Sequence, residues 1–167
     1  MGNYLSVPVL LLAAALQSSI VPFMRIGDGQ PDFVLLLILA WSVNASIDEG
    51  VIWAFSGGVM QDLLSRAPTG ASITGMVILV FAIGGLGRQV YRIGFLMLVG
   101  LVVFGTLIKQ TGFMLVITLA GFQLDWVAGL RNVVLPTLFY NLIFIWPVYW
   151  TVRRLQRRLG GYEQALG

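Results

Sequence analysis

Gly57-Gly58-Val59-Met60-Gln61-Asp62-Leu63-Leu64-Ser65-Arg66-Ala67-Pro68-Thr69-Gly70 sets an acidic side chain near the end of an otherwise apolar segment, then closes on Pro and Gly. Pro lacks the helical N–H and Gly accepts a left-handed turn, so a helix ends here. A carboxylate in such a segment is costly in lipid and marks packing or function. Spacing of four puts Ala54, Gly58 and Asp62 on one stripe of the helix. Small residues there admit another helix closely, and Asp62 either bonds across that contact or sits among headgroups beside Arg66. An acid near a helix C-terminus opposes the macrodipole, which counts against a merely structural Asp62.

The rest of the chain supplies the setting. Of 167 residues, 58% are hydrophobic and 10% charged, against about 25% charged in soluble domains. Mean hydropathy is +0.90, and apolar runs recur from end to end, the pattern of a polytopic membrane protein. With no Cys and no His, disulfides, thiol nucleophiles, Zn-type metal sites and imidazole acid–base chemistry are excluded. The pI near 9.7 does not point to nucleic acid. The excess is only +3, and Arg153, Arg154, Arg157 and Arg158 form one juxtamembrane cluster suited to anionic lipid headgroups. No Lys or Arg precedes the first apolar run, so it reads as a retained helix and not a cleaved leader. The opening Met-Gly-Asn-Tyr-Leu-Ser fits an acylation pattern that a chain with many spans hardly needs.

Hydropathy and breakers predict an all-α fold of six transmembrane helices, near Tyr4–Met24, Pro31–Val43, Gly50–Leu64, Ala71–Leu86, Ile93–Ala120 and Asn132–Val152. These make one transmembrane domain over 1–152, followed by a basic cytoplasmic tail over 153–167. Spans two and three fall short of the roughly 20 residues a bilayer needs, so they borrow polar flanks, tilt or re-enter. The fifth is long enough to tilt or break. Loops on the side of the termini hold Arg88, Arg92 and the four tail arginines, against Arg25, Arg66 and Arg131 opposite. Both termini are therefore expected in the cytoplasm. Trp146, Tyr149 and Trp150 mark the interface near the tail.

Lys109 interrupts the apolar fifth span, followed by Gln110. At 1.5 Å per residue it stands roughly 24 Å along from Ile93, while Asp62 stands roughly 18 Å along from Gly50. The depths are compatible with a Lys109–Asp62 pair, with Asn141 of span six as an alternative partner. The alternative is a break near Gly112 that lets Lys109 snorkel outward. Pro31 and Asp32 are ordinary helix-start residues. Ala71 and Gly75 repeat the small-residue spacing in span four.

Pro31-Asp32 before the second span, then Gly57-Gly58, Asp62-Leu63-Leu64-Ser65, Pro68 and Gly70 closing the third, resemble the rod shape-determining protein MreD family. Length, span number and basic tail agree over nearly the whole chain. The resemblance implies a multi-pass inner-membrane component of the bacterial elongation machinery. It also implies a fold like the substrate-binding membrane subunits of energy-coupling-factor vitamin transporters. Expected partners are the bitopic MreC, the MreB filament, the elongation peptidoglycan synthase and membrane lipids. In that reading the chain is a non-enzymatic scaffold without cofactor or catalytic residue, and its small-residue stripes receive a partner helix. Asp62, Gln61, Lys109, Gln110 and Asn141 could instead line a polar pocket. The alternatives are then a vitamin-type transporter subunit or a binder of a lipid-linked wall precursor.

Overall fold

A stretch of ten residues without a charge, Phe33–Ser42, forms helix α2 and dictates how the others are arranged. A helix apolar on every side has no face to offer water and is buried; Val34, Leu35, Leu36, Ile38, Leu39 and Ala40 are all inaccessible. The computed structural model describes the backbone of residues 2–25, 27–64, 70–85, 94–123 and 125–166, with side chains outside 2–5, 71 and 159–166. Around α2 stand α1 (Gly2–Ser19), α3 (Ile47–Leu64), α4 (Ala71–Gly85), α5 (Phe95–Leu119) and a last helix, α6. Each touches α2, and α1, α3, α4, α5 and α6 follow one another as packed neighbours around it. Helix α6 begins over Trp126–Gly129, passes through a π-helical segment Leu130–Val134 and continues over Leu135–Leu166.

The surface of the bundle is apolar where that of a soluble domain would be polar, and charged side chains lie within its interior. Leu96 is 82% exposed, Leu119 79% and Phe23 90%, while Asp32, Asp62, Thr106, Lys109 and Asn141 are buried. Contiguous apolar surface on this scale belongs against lipid. By length and composition, Phe95–Leu119 and Trp126–Arg158 can each cross a membrane.

Several sequence expectations change in detail. The second span is α2, a central helix shielded by the others, so it need not match the bilayer thickness. Its N-terminal approach is extended, which is tolerated at membrane depth only inside protein. Helix α5 runs unbroken through Gly112. The segment from 153 continues α6 as helix. Arg66, Pro68, Arg88 and Arg92, and the Ala71 side chain, lie outside the described residues.

The π-helical segment has a local cause and a partner. Pro136 has no N–H to give the carbonyl four residues back, that of Asn132. That carbonyl accepts instead from Asp28 N at 3.2 Å. Gln30 N then donates to Thr137 Oγ1 at 3.2 Å, and Asp32 N to Asn141 Oδ1 at 2.9 Å. Alternate residues 28, 30 and 32 thus bond along α6 as a strand bonds along its neighbour. Gly29 makes the approach feasible, since a Cβ there would lie 2.9 Å from Thr137 N and 3.0 Å from Val133 O.

Candidate functional site

The extended segment delivers Asp32 into the middle of the bundle, where it does two things at once. As N-cap of α2 it accepts from Leu35 N at 3.1 Å, satisfying a helix-end donor that has no partner within the helix. The same oxygen accepts from Gln17 Nε2 at 3.2 Å and Gln61 Nε2 at 3.4 Å. Gln17 of α1 also takes Val34 N through its Oε1 at 3.1 Å, a second α2 donor.

The other carboxylate oxygen of Asp32 forms a buried salt bridge with Lys109 Nζ. Lys109 also donates to Gln61 Oε1 at 2.7 Å. Close packing of α4 on α5 puts the ammonium there: a Cβ on Gly75 would lie 2.7 Å from Lys109 Cα. Two charges removed from water lose several kcal/mol each in solvation, and only good geometry with further hydrogen bonds offsets this. Here the amides of Gln17 and Gln61 and the α2 N-terminus supply those bonds. Asn141 extends the network by donating from Nδ2 to Thr106 Oγ1 at 3.0 Å, tying α6 to α5. Helices α1, α2, α3, α5 and α6 therefore meet at one polar centre.

The expected Lys109–Asp62 pair is corrected: the salt bridge of Lys109 is with Asp32. Asp62 accepts from Gly70 N at 2.7 Å and Ser72 N at 3.1 Å, which caps the start of α4. Its conflict with the α3 macrodipole is thereby resolved, because the positive end of α4 favours a carboxylate. Gly70 holds φ +100° at this turn, a conformation suited to glycine. Asn141 does not bond Lys109 but holds the backbone of Asp32, its neighbour in the network. The expectation that the small-residue stripe lies open to a partner helix is corrected as well. Ala54 is fully buried, and a Cβ on Gly58 would lie 2.7 Å from Ile73 Cα, so α4 of the same chain fills the stripe. Gly57 faces Ile38, Val34 and Leu10, and Pro31 is buried ahead of α2.

A cavity of about 230 Å³ opens beside the salt bridge. Gln61, Lys109 and Gln110 line it as expected of a pocket, whereas Asn141 and Asp62 are not among its walls. Gln17, Asp28, Gln30, Asp32, Ser72 and Thr137 complete the polar lining, and Phe113 and Val133 form an apolar side. Sequence reasoning missed Gln17 and the pairing role of Asp32. The available signal was Gln17 itself, an amide directly after the apolar run Val7–Leu16. At the far end, Arg153, Arg154, Arg157 and Arg158 are exposed, with the Arg154 guanidinium 5.2 Å from the Trp150 ring centroid, a cation–π contact.

Among the described residues, no group of three or more His, Cys, Asp or Glu is placed to hold a metal ion. Comparisons with curated proteins and with solved structures give no match. A family model for the rod shape-determining protein MreD matches residues 1–159. With that match spanning nearly the whole chain, and a helical bundle clothed in apolar side chains, the protein belongs to the MreD family of membrane proteins that determine rod shape.

Proposed function

We propose that the chain is a non-enzymatic scaffold of the bacterial elongation machinery, supporting lateral peptidoglycan synthesis by packing against a bitopic MreC-like partner. The MreB filament and the elongation peptidoglycan synthase are further members of the assembly. The reading is carried by family membership over residues 1–159. In it, all six helices belong to the inner-membrane domain, with a fold of the energy-coupling-factor type and both termini in the cytoplasm. The exposed arginines that follow Trp146 and Trp150 support that orientation.

Internal packing narrows the partner's seat. With Ala54 and Gly58 occupied by α4, the partner helix needs outward apolar surface. Helices α1 and α6 border α2 without packing extensively on each other, and Phe33 and Leu37 are only half-buried there. The partner's single span packs along this edge. A photocrosslinking residue in place of Leu12, Leu16, Phe139 or Ile143, all exposed, is expected to capture a single-span protein in cells, and one at Phe81 of α4 is not. Depletion of the chain is expected to turn rods into spheres. Normal shape on depletion, with no single-span protein captured from any of these positions, contradicts the reading.

A further inference from the structure

The cavity beside the salt bridge is more finely equipped than helix packing requires. Of the three N–H donors of Lys109, two go to Asp32 and Gln61, and one remains on the cavity wall. Thr137 accepts from Gln30 N and keeps its hydroxyl proton. Gln110 and Asp28 line the cavity, and neither side chain makes a hydrogen bond among the described residues. Asp28 is exposed, so the cavity opens at the end carrying the α1–α2 connection. Donors and acceptors therefore stand side by side, facing the apolar surface of Phe113 and Val133.

Charge decides the class of ligand. Two carboxylates, Asp28 and Asp32, and the Lys109 ammonium line the cavity. Lys109 is already paired with Asp32, and Arg25 donates to the lining Gln30 at 3.1 Å, so the charges balance. An anion such as phosphate would meet the Asp28 and Asp32 carboxylates, and a cation would meet the Lys109 ammonium at the floor. A neutral group whose atoms both donate and accept fits both constraints, and hydroxyls do so. At 230 Å³ the cavity is smaller than the roughly 300–1,000 Å³ of pockets for drug-sized ligands, which suits one ring. We propose that this cavity binds a single neutral polyhydroxylated ring, sugar or sugar-like. Its hydroxyls meet Lys109, Gln110, Asp28 and Thr137, and its C–H face lies on Phe113 and Val133. Such a ring comes either free or as the headgroup of a lipid.

The test uses the full chain in phosphatidylcholine nanodiscs, with no cell-shape readout, so its outcome is independent of the scaffold reading. Methyl glucoside is followed by saturation-transfer NMR, and glucosyl diacylglycerol in the disc by native mass spectrometry. Gln110→Leu and Asp28→Leu leave the Lys109–Asp32 pair intact. Each is expected to weaken binding about fivefold, the scale of one lost hydrogen bond, with unchanged circular dichroism. If either variant fails to fold, the other decides. Capture of the free glucoside assigns a soluble source and capture of the glycolipid alone assigns a headgroup; both support the proposal. Binding of neither probe, binding unchanged in the folded variants, or displacement by inorganic phosphate overturns it.

Discussion

At the N-terminal end of α2, Asp32 collects Lys109, Gln17, Gln61 and Leu35 N, while at the C-terminal end Trp41 stacks on Trp53 with ring centroids 4.1 Å apart. Around the tryptophans, Gln156 donates to the Trp41 carbonyl at 3.2 Å. The Nε1 atoms of both rings, Ser42 Oγ and Gln156 Oε1 are buried without a hydrogen-bond partner among the described residues. One end of the same helix is held by directional bonds to charge, the other by ring area and shape. Aromatic stacking adds about 0.5–1.5 kcal/mol beyond the area it buries, which compensates for some unmade bonds. It does not specify a neighbour as a salt bridge does. The charged end fixes which helices meet; the aromatic end fills the space they leave.

Four substitutions sharpen or break this contrast. Lys109→Met has the largest expected effect, because it leaves the buried Asp32 carboxylate without its cation; losses of about 3–5 kcal/mol accompany such changes. Denaturant unfolding in detergent micelles measures it, and a loss below 1 kcal/mol would mean that the charged end does not hold the bundle. Asn141→Leu follows, at about 1–3 kcal/mol, since it strands Asp32 N and breaks the tie to Thr106. Gly58→Ala pushes a Cβ to 2.7 Å from Ile73 Cα. It is expected to cost about 1–3 kcal/mol through overpacking of α3 on α4, seen as a lower thermal midpoint. Ser42→Ala is expected to be neutral or slightly stabilising, within about 0.5 kcal/mol, because it removes a buried hydroxyl with no hydrogen-bond partner among the described residues. A clear loss there would show that the aromatic end also relies on hydrogen bonds.

The helices were largely legible, because unbroken apolar runs and the breakers at Pro68-Thr69-Gly70 are local signals. Lys109 was legible too, as the single charge within Phe95–Leu119. Its partner was not. Counting residues along separate helices gives height along the bundle but says nothing of direction around it, so Asp62 and Asp32 could not be told apart by depth. Asp32 was also concealed by a sufficient local explanation: a residue that caps a helix seems to need no second role. The missed clue was the character of α2. A ten-residue helix is only about 15 Å long, and being apolar on every side it is enclosed, so its first residue starts inside the protein. Asp62 was misread for a similar reason. Assigned to the end of α3, it is bonded to the start of α4, and the sequence of residues 65–69 carried no pattern that pointed back to it. The stripe of Ala54 and Gly58 was a real packing surface, but spacing alone cannot say whose helix fills it.

The pairing of Lys109 is the claim on which the polar centre stands, and a double-mutant cycle tests it most directly. Lys109→Met is combined with Asp32→Asn in one cycle and with Asp62→Asn in another, with unfolding free energy measured for each protein. The account predicts coupling of at least about 1 kcal/mol between Lys109 and Asp32, as expected of residues in one network, and additivity within about 0.5 kcal/mol for Lys109 and Asp62. Additive effects with Asp32, or stronger coupling with Asp62, would contradict it.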